Sequence, residues 1–132
     1  MTTHEYYMHK ALQEARQAAE EGEIPVGAVV VCKGKIIARA HNETEKLNDV
    51  TAHAEMLAIT MATSYLGGKY LNECTLYVTM EPCTMCAGAL SWAQLGELVT
   101  GAPDPHRGLA SDPSRIASEN PNHLRHFNRG MQ

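Results

Sequence analysis

The sequence predicts an α/β fold, a three-layer α/β/α sandwich built on a mixed central sheet. Three observations carry this. Helical-period and β-rich stretches alternate in the order α-β-β-α-β-α-β. Residues 74–80 (Cys-Thr-Leu-Tyr-Val-Thr-Met) are a continuous apolar and β-branched run, as expected of a strand covered on both faces. The chain has 132 residues, 44% hydrophobic and 20% charged, which suffices for one core without disulfide support. Residues 1–132 are therefore read as a single domain.

Taken in order, Thr2 and Glu5 have capping-box spacing, and Met8, Ala11, Leu12, Ala15, Ala18 and Ala19 recur at helical period as far as Gly22. This predicts an amphipathic helix whose alanine-rich face can lie close to a sheet. Residues 26–32 and 35–40 are two β-rich runs joined by Lys33-Gly34, the pattern of a hairpin. Gly27 within the first run marks a place where another backbone or a ligand approaches closely. Residues 41–50 are polar and irregular. A second helical pattern follows Thr51, carrying Ala54, Met56, Leu57, Ile59 and Met61 and fading at Gly67-Gly68. After the 74–80 strand, a third helix opens at Pro82-Cys83, where proline's missing N–H has no cost, and ends near Gly96. Residues 97–101 read as a further strand. Beyond Ala102 four prolines punctuate the chain, and only residues 115–119 hint at a helix.

The composition narrows the function. No apolar run reaches membrane-spanning length, and the first residues lack the basic-then-apolar layout of a signal peptide, so a cytoplasmic location is the default expectation. Four cysteines do not make a disulfide scaffold here. Cys83 and Cys86 form a Cys-x-x-Cys pair, which points to metal or redox chemistry, while Cys32 and Cys74 read as small buried hydrophobes. The net charge of −4 argues against general nucleic-acid affinity. The acidic excess lies in the first hundred residues, however. From Gly101 onward Arg107, Arg115, Arg125 and Arg129 face Asp104, Asp112 and Glu119, which leaves room for a local polyanion site.

The chemistry concentrates between His53-Ala54-Glu55 and Pro82-Cys83-Thr84-Met85-Cys86. Both clusters open helices, where backbone N–H groups favour negative charge and so thiolate ligation. Cys83 and Cys86, three apart, share a helical face and can grip one ion, with His53 as a third ligand. Three protein ligands leave a fourth tetrahedral position for water, the mark of a catalytic zinc. Glu55 is then the acid/base candidate, since zinc lowers the pKa of water and a nearby carboxylate can carry its proton. Each motif alone is common. Joined thirty residues apart, they would coincide by composition in roughly one chain in a thousand or fewer.

The pattern His-x-Glu…Pro-Cys-x-x-Cys resembles the zinc nucleobase deaminases. Within that superfamily the chain looks most like the bacterial tRNA-specific adenosine deaminases. The resemblance lies in residues 23–29 (Glu-Ile-Pro-Val-Gly-Ala-Val), 38–42 (Ala-Arg-Ala-His-Asn), 48–55 (Asn-Asp-Val-Thr-Ala-His-Ala-Glu) and 75–89. It covers residues 4 to about 108 closely and continues loosely through Asn120-Pro121-Asn122-His123. It implies a cytidine-deaminase-like fold, one zinc per chain on His53, Cys83 and Cys86, and Glu55 as proton shuttle. It further implies base contacts from Asn42, Val26 and Ala54, and RNA-loop positions at Asp104, His106 and Asn122. The implied reaction is hydrolysis of the wobble adenosine of a tRNA anticodon stem-loop to inosine, by a homodimer. On the residues alone, Asn42 reads as a loop cap and Val26 as an ordinary core valine.

Other readings stay open. A deaminase of free guanine or cytosine would carry the same zinc residues, whereas His53 argues against the cytidine deaminases that use Cys at that position. A thiol–disulfide protein would use Cys83 and Cys86 without stoichiometric zinc. A non-enzymatic zinc module for RNA would want a fourth protein ligand. Family members also continue past the position of Gln132 into a last helix with paired aromatics, so reduced tRNA affinity and stability are expected of the sequence as it stands.

Overall fold

Thr2 caps the first helix as its spacing predicts. In the computed structural model, which describes residues 1–102 and the backbone of 125–128, the Thr2 hydroxyl accepts from Glu5 N–H at 3.1 Å, and the Glu5 carboxylate accepts from Thr2 N–H at 2.9 Å. Helix α1 spans Thr3–Glu20 and buries Met8, Ala11, Ala15 and Ala18. Leu12 and Ala19, also expected inside, face solvent. They flank the buried stripe, and helix α1 meets the sheet along a narrow band of alanines.

Strands β1 (Gly27–Cys32) and β2 (Lys35–His41) form the expected hairpin. Its turn residues, Lys33 at φ 53° and Gly34 at φ 77°, both take the left-handed conformation that matches the twist of paired strands. Gly27 is the close approach its sequence position suggests. A Cβ there would run into the backbone of Ala11 and Ala15, so α1 crosses β1 at the one residue without a side chain.

Helix α2 (Ala54–Leu66) ends at Gly67, at φ 70°. Its inner face is Ala54, Glu55, Ala58 and Ala62, while Met61 is exposed. The alanines are fully buried against the sheet, and Leu57 and Ile59 pack partly buried beside them. Strand β3 (Cys74–Met80) is buried almost throughout, helix α3 runs Thr84–Trp92, and β4 runs Glu97–Ala102. Trp92 is 86% exposed and so is not core. A short strand β5 (Arg125–Asn128), not expected from the sequence, pairs antiparallel with β4. The expected helix at 115–119 lies outside the described residues.

The sheet order is β2-β1-β3-β4-β5, with β3 and β4 parallel and the other pairs antiparallel. Alternation along β1 sorts the core into two layers. Val29 and Val31 pack with Met8, Ala11 and Tyr77 under α1, while Ala28 and Val30 pack with Ala54, Ala58, Ala62 and Leu90 under α2 and α3. This is the predicted three-layer sandwich with a mixed sheet. Among the described residues no helix is long and apolar enough to cross a membrane.

One clasp between layers is pH-sensitive. His41, at the end of β2, lies 2.9 Å from Glu14 and 3.0 Å from Glu21, both in or beside α1, and Arg39 also meets Glu14 at 3.2 Å. Burial alone would lower the His41 pKa, but hydrogen bonds to Glu14 and Glu21 outweigh it and raise the value. The stabilisation is thus full below the unfolded value of about 6.5 and is lost as pH rises through the higher folded value. The Tm advantage of wild type over His41→Gln should therefore shrink as pH rises above about 6.5. A difference that stays constant as pH rises would show that His41 acts without its charge.

Candidate active site

Two strand ends and two helix starts meet at one end of the sheet. His53 is the N-cap of α2 and Cys83 the N-cap of α3, each with extended backbone, and Cys86 lies one turn into α3. His53 Nδ1 lies 3.7 Å from Cys83 Sγ and 3.5 Å from Cys86 Sγ, and the three ligand atoms fall within 4.8 Å of one another. Tetrahedral zinc with ordinary Zn–N and Zn–S bonds separates nitrogen from sulfur by about 3.5 Å, so the spacing fits. Among the described residues this is the one His, Cys, Asp and Glu cluster with such spacing.

The electrostatics fit as well. Helix N-termini were expected to lower the thiol pKa values, but burial wins at Cys86, which is fully inaccessible. Its thiol is pushed up, further so by Glu55 and Cys83. Burial also pushes the Glu55 carboxyl up to about 7, although its own backbone N–H and the Cys86 thiol pull the other way. The Cys86 thiol and the Glu55 carboxyl, both held back from ionising by burial, stand in a site where a divalent cation would favour their anionic forms.

Asn42 explains how the first ligand is positioned. Its side-chain oxygen accepts from Ala54 N–H at 2.7 Å, satisfying a free donor at the start of α2 just after His53. Ala54 itself is fully buried. A cavity of about 70 Å³ lies beside the cluster, lined by Val26, Asn42, Glu55 and both His53 and Cys83. Sequence reasoning missed Ile24, Thr44, Met80 and Glu81, which complete its wall. Their neighbours Val26, Asn42 and Pro82 were the available signal. Glu23, buried behind this wall, also went unnoticed. Its carboxylate accepts from Glu45 N–H at 3.1 Å and Lys46 N–H at 2.9 Å, holding the polar loop against the site. Asp104, His106 and Asn122 lie outside the described residues. A larger cavity, about 430 Å³, opens at the opposite end of the sheet. Donor chemistry rather than volume marks the active site.

Residues 1–102 match the cytidine and deoxycytidylate deaminase zinc-binding region. The chain belongs to this deaminase family. Within the family it is 49% identical over 119 residues to a tRNA-specific adenosine deaminase of Agrobacterium fabrum, covering 90% of this chain and 78% of that one. The corresponding protein of Bacillus subtilis is 48% identical, covering 90% and 74%. A solved structure from work on A-to-I editing by tRNA:A34 deaminases superposes with a TM-score of 0.81 at 48% identity, covering 92% of this chain and 94% of that one. A guanine deaminase from Bacillus subtilis superposes with a TM-score of 0.75 at 40% identity, covering 77% and 66%. The chain is thus a zinc-dependent deaminase domain, and the open alternative of a Cys83–Cys86 thiol–disulfide protein falls away.

Proposed function

We propose that this deaminase converts adenosine to inosine at the wobble position of tRNA anticodons. The observation that carries the chemistry is the convergence of His53, Cys83 and Cys86 beside the buried Glu55. Near-half identity to tRNA-specific adenosine deaminases over nine-tenths of the chain supports the substrate.

His53 Nδ1 and the two thiolates would hold one zinc ion, which when bound supplies Lewis acidity toward a water nucleophile. Glu55 would carry one proton from the attacking water to the purine ring nitrogen and a second, from the hydroxyl then left on the ring carbon, to the departing ammonia. A carboxyl near neutrality suits both transfers. Asn42 fixes the start of α2 through its oxygen and offers its NH2 group to the base. Val26 supplies an apolar wall, and the exposed Ile24 lies at the rim. Ala54 acts through its backbone, as the group that anchors Asn42. Asp104, His106 and Asn122 belong to the RNA-loop contacts in this reading. A cytoplasmic homodimer completes it, and the exposed Trp92 on α3 is consistent with an interface.

Inosine formation on an anticodon stem-loop, compared with turnover of guanine, cytosine and cytidine, tests the assignment. Preferential conversion of the stem-loop is expected. Faster turnover of guanine would move the chain to the guanine deaminases.

A further inference from the structure

The cavity of about 430 Å³ at the far end of the sheet contains the two cysteines that the metal centre does not use. Cys32 ends β1 and Cys74 begins β3, and the antiparallel register sets them directly opposite one another. Opposed residues in such a ladder have Cα atoms about 4.5 or 5.5 Å apart, both within the range a disulfide spans. Their side chains share a face. Cys74 belongs to the core layer under α2, and Cys32 packs against that same layer. Their exposure differs in a useful way, because Cys74 is 2% accessible while Cys32 is half-buried.

The cavity has the size of a small-molecule pocket. Tyr65 and Tyr70 line it, and Lys33 and Lys35 stand at its edge beside Cys32. Lys35 Nζ donates to the Tyr65 hydroxyl at 2.8 Å. Lys33 lies 3.5 Å from Glu73, so the two lysines outnumber the one carboxylate.

We propose that Cys32 and Cys74 form a thiol–disulfide exchange site for small anionic disulfides of the glutathione type, independent of the deaminase centre. The Cys32 thiolate attacks one sulfur of the incoming disulfide, breaking its S–S bond, forming a mixed disulfide and releasing one thiolate. Cys74 then loses its proton to solvent and attacks Cys32 Sγ. The mixed disulfide breaks, the second small thiolate leaves, and a Cys32–Cys74 bond forms. In sum, two protein thiols are oxidised and one small disulfide is reduced to two thiols. The order follows from access, since a bulky disulfide reaches Cys32 from the cavity but cannot reach Cys74. Burial and the neighbouring Cys32 also push the Cys74 thiol up, which suits a resolving rather than an attacking group.

The test is peptide mapping of the zinc-loaded chain after incubation with glutathione disulfide and glutathione at defined ratios. A Cys32–Cys74 crosslinked peptide is expected in wild type, with a Tm raised by roughly 10 °C and zinc content unchanged. Cys74→Ser should accumulate glutathione on Cys32, while Cys32→Ser should take up none on Cys74. Charge reversal by Lys33→Glu with Lys35→Glu should slow thiolation by glutathione disulfide several-fold but leave the rate with uncharged bis(2-hydroxyethyl) disulfide unchanged. Wild type in which both cysteines stay alkylatable under oxidising ratios overturns the proposal, and that result needs no variant to fold. A stable mixed disulfide on wild-type Cys32 overturns the resolving step. Equal slowing with both disulfides overturns recognition by the lysines.

Discussion

Replacing Glu55 with glutamine is expected to lower deamination by roughly 10²–10⁴-fold or more while leaving zinc at one per chain. The two parts of this result separate because Glu55 is not among the three clustered ligand atoms. It sits at the second position of α2, 4% exposed, in the wall of the cavity beside His53 and Cys83. Glutamine keeps the shape and one oxygen but cannot take up or release a proton near neutrality. The fold should not suffer. Burial disfavours the Glu55 carboxylate, so a neutral amide should give a Tm at or above that of wild type. Single-turnover inosine formation, metal analysis and a melting curve on the same preparation distinguish the cases. Activity within tenfold of wild type would remove Glu55 from proton transfer, and loss of zinc would make it a structural support of the metal site.

Much of this architecture was legible because local chemistry and fold agree. Thr2 with Glu5, Lys33 with Gly34 and the apolar run at 74–80 each specify an element by themselves, and the structure contains all three. Gly27 specified more than an element. Its missing side chain indicated a crossing, and α1 supplies it. The inner faces of the helices were harder to read. Met61 and Leu12 have the larger hydrophobic side chains, yet Ala58, Ala62 and Ala15 lie inside, because close helix–sheet packing selects for small volume over hydrophobicity. Strand β5 escaped notice because Arg-His-Phe-Asn carries no alternation and depends on the edge of β4 for its pairing.

The site divides along a similar line. His53, Cys83, Cys86 and Glu55 were visible because few chemistries need those groups at that spacing. Asn42 was visible only through family resemblance, since its work is done twelve residues away on Ala54, a contact no periodicity encodes. Glu23 shows the same limit. A lone glutamate before Ile24-Pro25 gives no sign that it will accept two backbone N–H groups from a loop more than twenty residues later. The direction of the Cys86 shift was misread for a related reason. A helix N-terminus is visible in sequence, whereas the burial that outweighs it is a property of the packed fold.

Replacing Cys86 with alanine is expected to release zinc and lower the Tm further than loss of a buried thiol can explain. Cys86 is fully buried at the base of the cluster, so its removal leaves His53 and Cys83 as a two-donor remnant. Ligation contributes to folding free energy because the unfolded chain does not hold the ligands together. Cys74→Ala provides the comparison. It removes a thiol of nearly equal burial, from the core layer but not from the metal cluster, at a packing cost of about 1 kcal/mol. That variant should retain zinc and most of its stability, whereas Cys86→Ala should lose the metal and at least twice as much stability. Adding a chelator to wild type should lower its melting temperature to near that of Cys86→Ala, short of it by the packing of one buried thiol, and should leave that variant itself unmoved. If both variants instead melt alike and retain zinc, Cys86 is packing rather than a ligand, and the metal must be held by another set of donors.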